Sequence, residues 1–175
     1  MESARTARSL WPAPFSLGAS ENESLVARVI DAPRELVFRM WTEAEHISRW
    51  LHPDGFDTVV CEEADVRPGG VVRLALQQSD GARYVAVFTF REIAAPERVV
   101  FDETCSDGDG PIHRARVTVR LEVDGARTLL TIHAEFDWIE NRDPQWTHAY
   151  VKQLWNDGWS GNVSNLARCL GAHHH

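Results

Sequence analysis

Residues 112–138 read IHRARVTVRLEVDGARTLLTIHAEFDW, and this stretch decides the fold. Before Asp124-Gly125, apolar side chains recur at every second position: Val117, Val119 and Leu121. After it the same period continues through Leu130, Ile132, Ala134, Phe136 and Trp138. Strict alternation marks a strand with one buried face. An Asp-Gly pair between two such runs is a strong short-hairpin signal. The hairpin is therefore expected at residues 112–123 and 129–138.

Working towards the N-terminus, further strands are expected at 98–105, 84–93, 71–78, 56–63 and 25–30. Pro96, Asp80-Gly81 and Arg67-Pro-Gly-Gly70 separate several of them. No helical spacing interrupts residues 56–138, so the sheet should be antiparallel throughout. Between the first two strands, Pro33 suits a first helical turn, and Leu36, Val37, Met40 and Trp41 form an apolar stripe. Thr42-Glu-Ala-Glu45 has the form of a capping box, which would start a second short helix carrying Ile47, Trp50 and Leu51. Beyond the hairpin, Asp143-Pro144 is expected to open a last helix running to Leu170, with Gly171 as its stop. Val151, Trp155, Trp159, Val163, Leu166 and Leu170 make its buried stripe. At 1.5 Å per residue that helix would span roughly 40 Å. Gly158 weakens it unless something approaches closely there.

The expected class is α+β: a curved seven-stranded antiparallel sheet around a long C-terminal helix, with two short helices after strand 1. A curved sheet gripping one helix is not always filled by side chains, which leaves a cavity as the natural ligand site. Residues 1–23, without periodicity, read as a disordered tail carrying Trp11 and Phe15. Residues 24–171 form the domain, and 172–175 look like a purification tag.

Composition removes several function classes. Acidic side chains number 26 against 18 basic ones, a formal charge of −8, which argues against a nucleic-acid partner. No apolar run approaches the roughly 18 residues of a membrane span, so no membrane insertion is expected. Three cysteines without a CxxC pair favour neither a disulfide framework nor structural zinc, and a reducing cytoplasm is the simplest home. Seven Trp against two Tyr require either a bulky core or rings that line a space.

Val29-Ile-Asp-Ala-Pro-Arg-Glu-Leu-Val-Phe38, Trp41-Thr, Glu45-His46 and Arg49-Trp50 resemble the opening of a known family. Asp65-Val-Arg-Pro-Gly-Gly70, Arg91-Glu-Ile, Pro96-Glu-Arg98, Gly158-Trp159 and Leu166-Ala continue the resemblance in order. The family is that of bacterial proteins named after the activator of the heat-shock protein 90 ATPase. It belongs to the START-like, birch-pollen-allergen-like (SRPBCC) superfamily. The resemblance covers about residues 24–170 and implies a helix-grip fold around an internal pocket. Leu51-His52-Pro53 departs from the second Trp and Gly-Pro common in the family, and the tail is extra, so ligand identity does not carry over.

Strand parity places Leu130, Ile132, Ala134, Phe136 and Trp138 inside, with His133 and Glu135 outside as a solvated pair rather than a metal site. His113 falls in the inward register, while Arg114, Arg116 and Arg120 face out. If Val99 and Phe101 point inward, so does Glu103, a carboxylate among apolar groups, and so do Tyr84, Phe88 and Phe90. Trp41 and Trp159 occupy core positions of the family, whereas Trp50, Trp138 and Trp155 are candidate walls for a planar ligand. His52 sits at the expected pocket mouth. The candidate ligand set is thus Trp50, His52, Tyr84, Phe88, Phe90, Glu103, His113, Phe136, Trp138, Trp155 and Trp159.

No cofactor and no metal are expected. There is no GxGxxG, Walker-type loop, GxSxG or HExxH, and Asp107-Gly-Asp-Gly110 reads as a turn. The leading expectation is binding of a hydrophobic, planar small molecule, polyketide or lipid-like, by a monomer or homodimer. A second is an enzyme like the superfamily's polyketide cyclases and aromatases, with Glu103 and His113 as acid–base groups. A third is sequestration of a toxic natural product for self-resistance. A chaperone co-factor ranks last, because the eukaryotic activators carry a further N-terminal domain that 23 residues cannot supply.

Overall fold

The alternating runs become seven strands in a computed structural model of the chain, which describes residues 20–138 and 143–171. The order along the chain is β1 (Glu23–Ile30), α1 (Arg34–Thr42), α2 (Ala44–Trp50), β2 (Thr58–Ala64), β3 (Val71–Gln77), β4 (Arg83–Ala94), β5 (Arg98–Asp107), β6 (Gly110–Asp124), β7 (Arg127–Asp137) and α3 (His148–Gly171). All strands join one sheet in the spatial order β1-β7-β6-β5-β4-β3-β2, with every neighbouring pair antiparallel. This is the expected α+β helix-grip architecture.

The β6–β7 hairpin turns at Gly125, whose φ of 63° suits a glycine, and pairs Asp124 with Arg127. Its register sets Val117 against Ala134, Val119 against Ile132 and Leu121 against Leu130, and all six are buried. A one-residue slip would expose this whole set, which is why one buried face pins the register. The outer face of the sheet carries charge instead, for example Asp102 bridging Arg91 at 2.7 Å and Arg116 at 2.8 Å.

Helix α3 covers the inner face with the expected stripe of Val151, Trp155, Trp159, Val163, Leu166 and Leu170, every one buried. Its flank is tied to β1: Ser24 Oγ donates to Asn156 Oδ1 at 2.6 Å, and Arg28 donates to Ser164 Oγ at 2.9 Å.

Three local expectations are corrected. The last helix does not start at Asp143-Pro144. Asp143 Oδ1 accepts from the Gln145 amide at 3.0 Å, a turn that uses up its capping oxygen. Thr147 caps instead, its Oγ1 accepting from the Tyr150 amide at 3.2 Å, and the 24-residue helix spans about 36 Å. The capping box at Thr42 is not formed: Thr42 ends α1, and its Oγ1 donates back to the Phe38 carbonyl at 3.0 Å. Glu43 is the extended link between the two short helices. Finally, β1 begins at Glu23, inside the expected tail, and the carbonyl of Asn22 accepts from the Phe136 amide at 2.7 Å. Residues 1–19 of the expected tail, with Trp11 and Phe15, and the tag-like 172–175 lie outside the described residues.

Candidate ligand-binding cavity

Between the inner face of the sheet and α3 lies a cavity of about 310 Å³. One water needs roughly 10–15 Å³ by the same kind of measure, so this is a chamber rather than a packing defect. Leu74 and Leu76 of β3, Ala86 and Phe88 of β4, and Ile112 of β6 form its sheet wall. Val151, Trp155 and Trp159 form its helix wall. The mouth is marked by exposed lining residues: Asp54, Gly55, Asp80, Gln145, Tyr150 and Leu154.

The loop at the mouth lies tight against α3, and the helix glycines permit this. A Cβ on Gly158 would stand 3.3 Å from the Pro53 Cβ, and one on Gly161 would run into the Asp54 carboxylate. The close approach expected at Gly158 is therefore that of Pro53.

Glu103 reaches the cavity from β5 and is only 6% exposed. Its Oε2 accepts from the indole Nε1 of Trp155 and of Trp159, each at 3.2 Å. These residues stand one helical turn apart on α3, so both indoles reach one oxygen. Oε1 lies 3.2 Å from His113 Nε2. His113, 7% exposed, sits on β6 opposite Cys105, diagonal to Glu103 across the ladder. An indole N–H only donates and an ionised carboxylate only accepts, so the arrangement satisfies both sides of the contact.

Nearby weak acids are held protonated. Burial, then the neighbouring Glu103 and Asp107, push the Cys105 thiol up to about 12. Burial and then the charges of Asp80 and Asp107 raise the Tyr84 phenol.

Six of the expected site residues line the cavity: Tyr84, Phe88, Glu103, His113, Trp155 and Trp159. The other five lie off it. Trp50 and Phe90 belong to packed core around a void of about 10 Å³, and Trp50 Nε1 donates to the Met40 carbonyl at 2.7 Å. Trp138 is sandwiched between Phe136 and His148, with ring centroids 4.4 Å and 4.3 Å away. Phe136, on β7, meets Trp155 edge-on at 5.8 Å and does not line the cavity. His52 is exposed, and its carbonyl accepts from Asn165 Nδ2 at 3.1 Å. Trp159 has two roles: one side lines the cavity, while Trp41 stacks on it at 5.8 Å within the core. His133 pairs with Glu23 on β1 at 3.1 Å.

The lining also includes Phe56, Trp146, Tyr150, Leu154 and Asn162, which the sequence reading passed over. A signal for three of them exists: Tyr150, Leu154, Gly158 and Asn162 recur every fourth residue, a second stripe beside the buried one. Among the described residues, Glu43, Glu45 and His46 bring possible metal-ligand atoms within 4.8 Å of one another, but Arg39 already engages Glu43 at 2.7 Å. No helix among the described residues is long and apolar enough to cross a membrane.

A cavity enclosed between a seven-stranded sheet and one C-terminal helix defines a helix-grip, START-like protein. More particularly, the chain belongs to the family described as activator of Hsp90 ATPase homolog 1-like protein, whose model matches residues 31–171. Comparison with curated proteins finds no match. Solved structures of the same fold include an Arthrobacter aurescens protein at 21% identity and TM-score 0.71, covering 89% of this chain and 93% of that one. A Mycobacterium smegmatis protein shares 16% identity at TM-score 0.70, over 89% and 94% of the two chains. A Chromobacterium violaceum protein shares 23% identity at TM-score 0.66, over 85% and 96%. The fold is one known for ligand binding.

Proposed function

We propose that this protein binds a hydrophobic, planar small molecule, polyketide or lipid-like, in the cavity between sheet and α3. The observation that carries this reading is the cavity itself: about 310 Å³, walled by Leu, Phe and Trp side chains. That volume lies at the lower end of the roughly 300–1,000 Å³ of small-molecule sites. Affinity then comes mainly from apolar area removed from water, at about 25 cal/mol per Å² before the costs of association. Binding alone would serve to sequester a toxic natural product.

Trp146, Trp155 and Trp159 all line the cavity, so indole emission reports occupancy. Titration with a panel of polycyclic aromatic polyketides should give saturable quenching for at least one compound. Ala86→Trp, which fills the cavity from β4, should abolish it while far-UV circular dichroism stays native. Quenching that survives Ala86→Trp, or its complete absence in the parent chain, would sink the reading.

The contact between Glu103 and His113 favours a second reading, proton transfer on a bound substrate by a cyclase or aromatase type of enzyme. Glu103→Gln combined with His113→Phe should then stop turnover of a polyketide that the protein still binds. Unchanged turnover would refute the catalytic role and leave binding intact.

A further inference from the structure

The charge pattern of the cavity narrows the ligand further. The chain carries 18 Lys and Arg residues, yet among the described residues lining the cavity there is no Lys or Arg. Three carboxylates do line it: Glu103 in its buried part, and Asp54 and Asp80 at the mouth. Glu103 is occupied by the two indoles and His113. Asp54 and Asp80 have no cationic partner among the described residues; Asp80 only accepts from the Ala82 amide at 2.9 Å. Carboxylates without counter-ions beside an apolar chamber repel an anionic ligand and attract a cation.

Aromatic rings reinforce the preference. Phe56 meets Tyr84 edge-on at 5.7 Å, Tyr84 meets Trp146 at 6.3 Å, and Trp146 lies beside Tyr150 at 6.0 Å. All four rings line the cavity, and Tyr150 is 45% exposed at its mouth. Ring faces of this kind attract ammonium groups, most strongly where water is partly excluded. The raised Tyr84 phenol reports the same negative surroundings, since Asp80 and Asp107 add to the effect of burial there. Deeper in, Asn162 is 3% exposed, and its Oδ1 has no partner. Trp146, also in the lining, has a buried Nε1 donor without a partner. These two atoms ask for one donor and one acceptor, and leave the ligand's charge to the carboxylates and rings.

We infer that the ligand is an amine-bearing or quaternary ammonium amphiphile, held with its cationic group among Asp54, Asp80 and the aromatic mouth and its apolar body against Phe88, Trp155 and Trp159. Fatty acids and other carboxylate or phosphate amphiphiles are rejected. This rests on the reading that the cavity binds small molecules.

Three matched probes test it on the full chain: 2-naphthylmethylamine, 2-naphthalenemethanol and 2-naphthoate, titrated by indole quenching at pH 7 and low salt. The amine should bind on the order of tenfold tighter than the carboxylate. Asp54→Asn with Asp80→Asn should bring that ratio close to one, and so should high salt, because these carboxylates are exposed to screening. A carboxylate that binds as well as the amine, or a ratio that ignores the double substitution, would overturn the inference while binding of the neutral alcohol upholds the cavity reading. Failure of all three probes to bind would overturn both.

Discussion

Replacing Glu103 by Leu tests how far one buried carboxylate holds the helix to the sheet. Leu nearly fills the same volume and accepts nothing. Three N–H-bearing groups lose their partner: Nε1 of Trp155, Nε1 of Trp159 and Nε2 of His113, each now at 3.2 Å. A neutral histidine can place its proton on Nδ1, so only the two indoles are obliged to stay unsatisfied. Each unsatisfied buried donor costs about 1–3 kcal/mol. Water in the adjoining cavity takes up part of that, and the desolvation of the carboxylate is no longer paid. A net loss of about 2–3 kcal/mol follows. In a chain of this size about 1 kcal/mol moves Tm by roughly 2–4 °C, so Tm should fall by about 5–10 °C. Glu103→Gln behaves differently. Its amide oxygen accepts from both indoles, and its NH₂ faces the Nε2 lone pair of the other histidine tautomer, so the loss stays below about 1 kcal/mol. Urea denaturation of both variants at pH 7, followed by far-UV circular dichroism, measures the difference. A Leu variant as stable as the Gln variant would refute the reasoning, and would mean that the carboxylate burdens the fold rather than bracing it.

Other substitutions follow from the same geometry. A Cβ on Gly70 would run into the backbone carbonyl of Asp65, which cannot swing away, so Gly70→Ala should cost about 2–4 kcal/mol. Gly69→Ala, with open space but a φ of 83°, should cost only about 1 kcal/mol, and a reversed order in urea midpoints would contradict this account. Hydrogen bonds from Arg116 and Arg91 hold the Asp102 carboxyl below its usual range, against an opposing effect of burial. A depressed folded-state value stabilises above the unfolded value and is lost as pH falls through the folded one. Asp102→Asn should therefore be less stable than the parent at pH 7, with the gap closing as pH falls below about 4; a gap constant down to pH 2 would argue against it. With its thiol pushed up to about 12, Cys105 should react with iodoacetamide at pH 8 about thirty- to sixtyfold more slowly than an unperturbed thiol, the loss of thiolate being partly offset by its higher nucleophilicity. Peptide mass spectrometry over a time course would show it, and labelling of Cys105 as fast as a free cysteine would count against the burial.

Parity in the strands was legible because one face is buried and the period is two. Parity puts His113 in the inward register and Glu103 on one face with Val99 and Phe101. If that face is the inner one, Glu103 points inward together with Tyr84 and Phe88, and the buried Val99 and Phe101 show that it is. Parity names the face of a residue but not its depth along the sheet. Phe88 and Phe90 share a face on β4, yet Phe88 borders the cavity and Phe90 packs only against the core. The same limit applies to the tryptophans. Trp50 is on the apolar side of α2, as its spacing requires, but that side meets Trp41 at 4.7 Å rather than open space. Trp146 lay beyond any periodicity, because the turn at Asp143 delays the helix and leaves this ring in the connecting segment.

Trp159 shows why core and cavity are not alternatives for an aromatic wall. Its ring is fixed on one side by Trp41 and approached on others by Phe88 at 5.8 Å and Phe101 at 6.1 Å. Its N–H is fixed by Glu103, and so is that of Trp155. Two large rings with both packing and hydrogen bond settled have little rotamer freedom left to lose. A ligand that stacks on them is spared the roughly 0.5–1.5 kcal/mol of ordering per side chain that binding normally exacts. Glu103 thus contributes to recognition even without touching the ligand, by presenting a wall already in place. On that argument Glu103→Leu weakens probe binding beyond the loss of any direct contact, whereas Glu103→Gln, which still accepts from both indoles, leaves the wall intact.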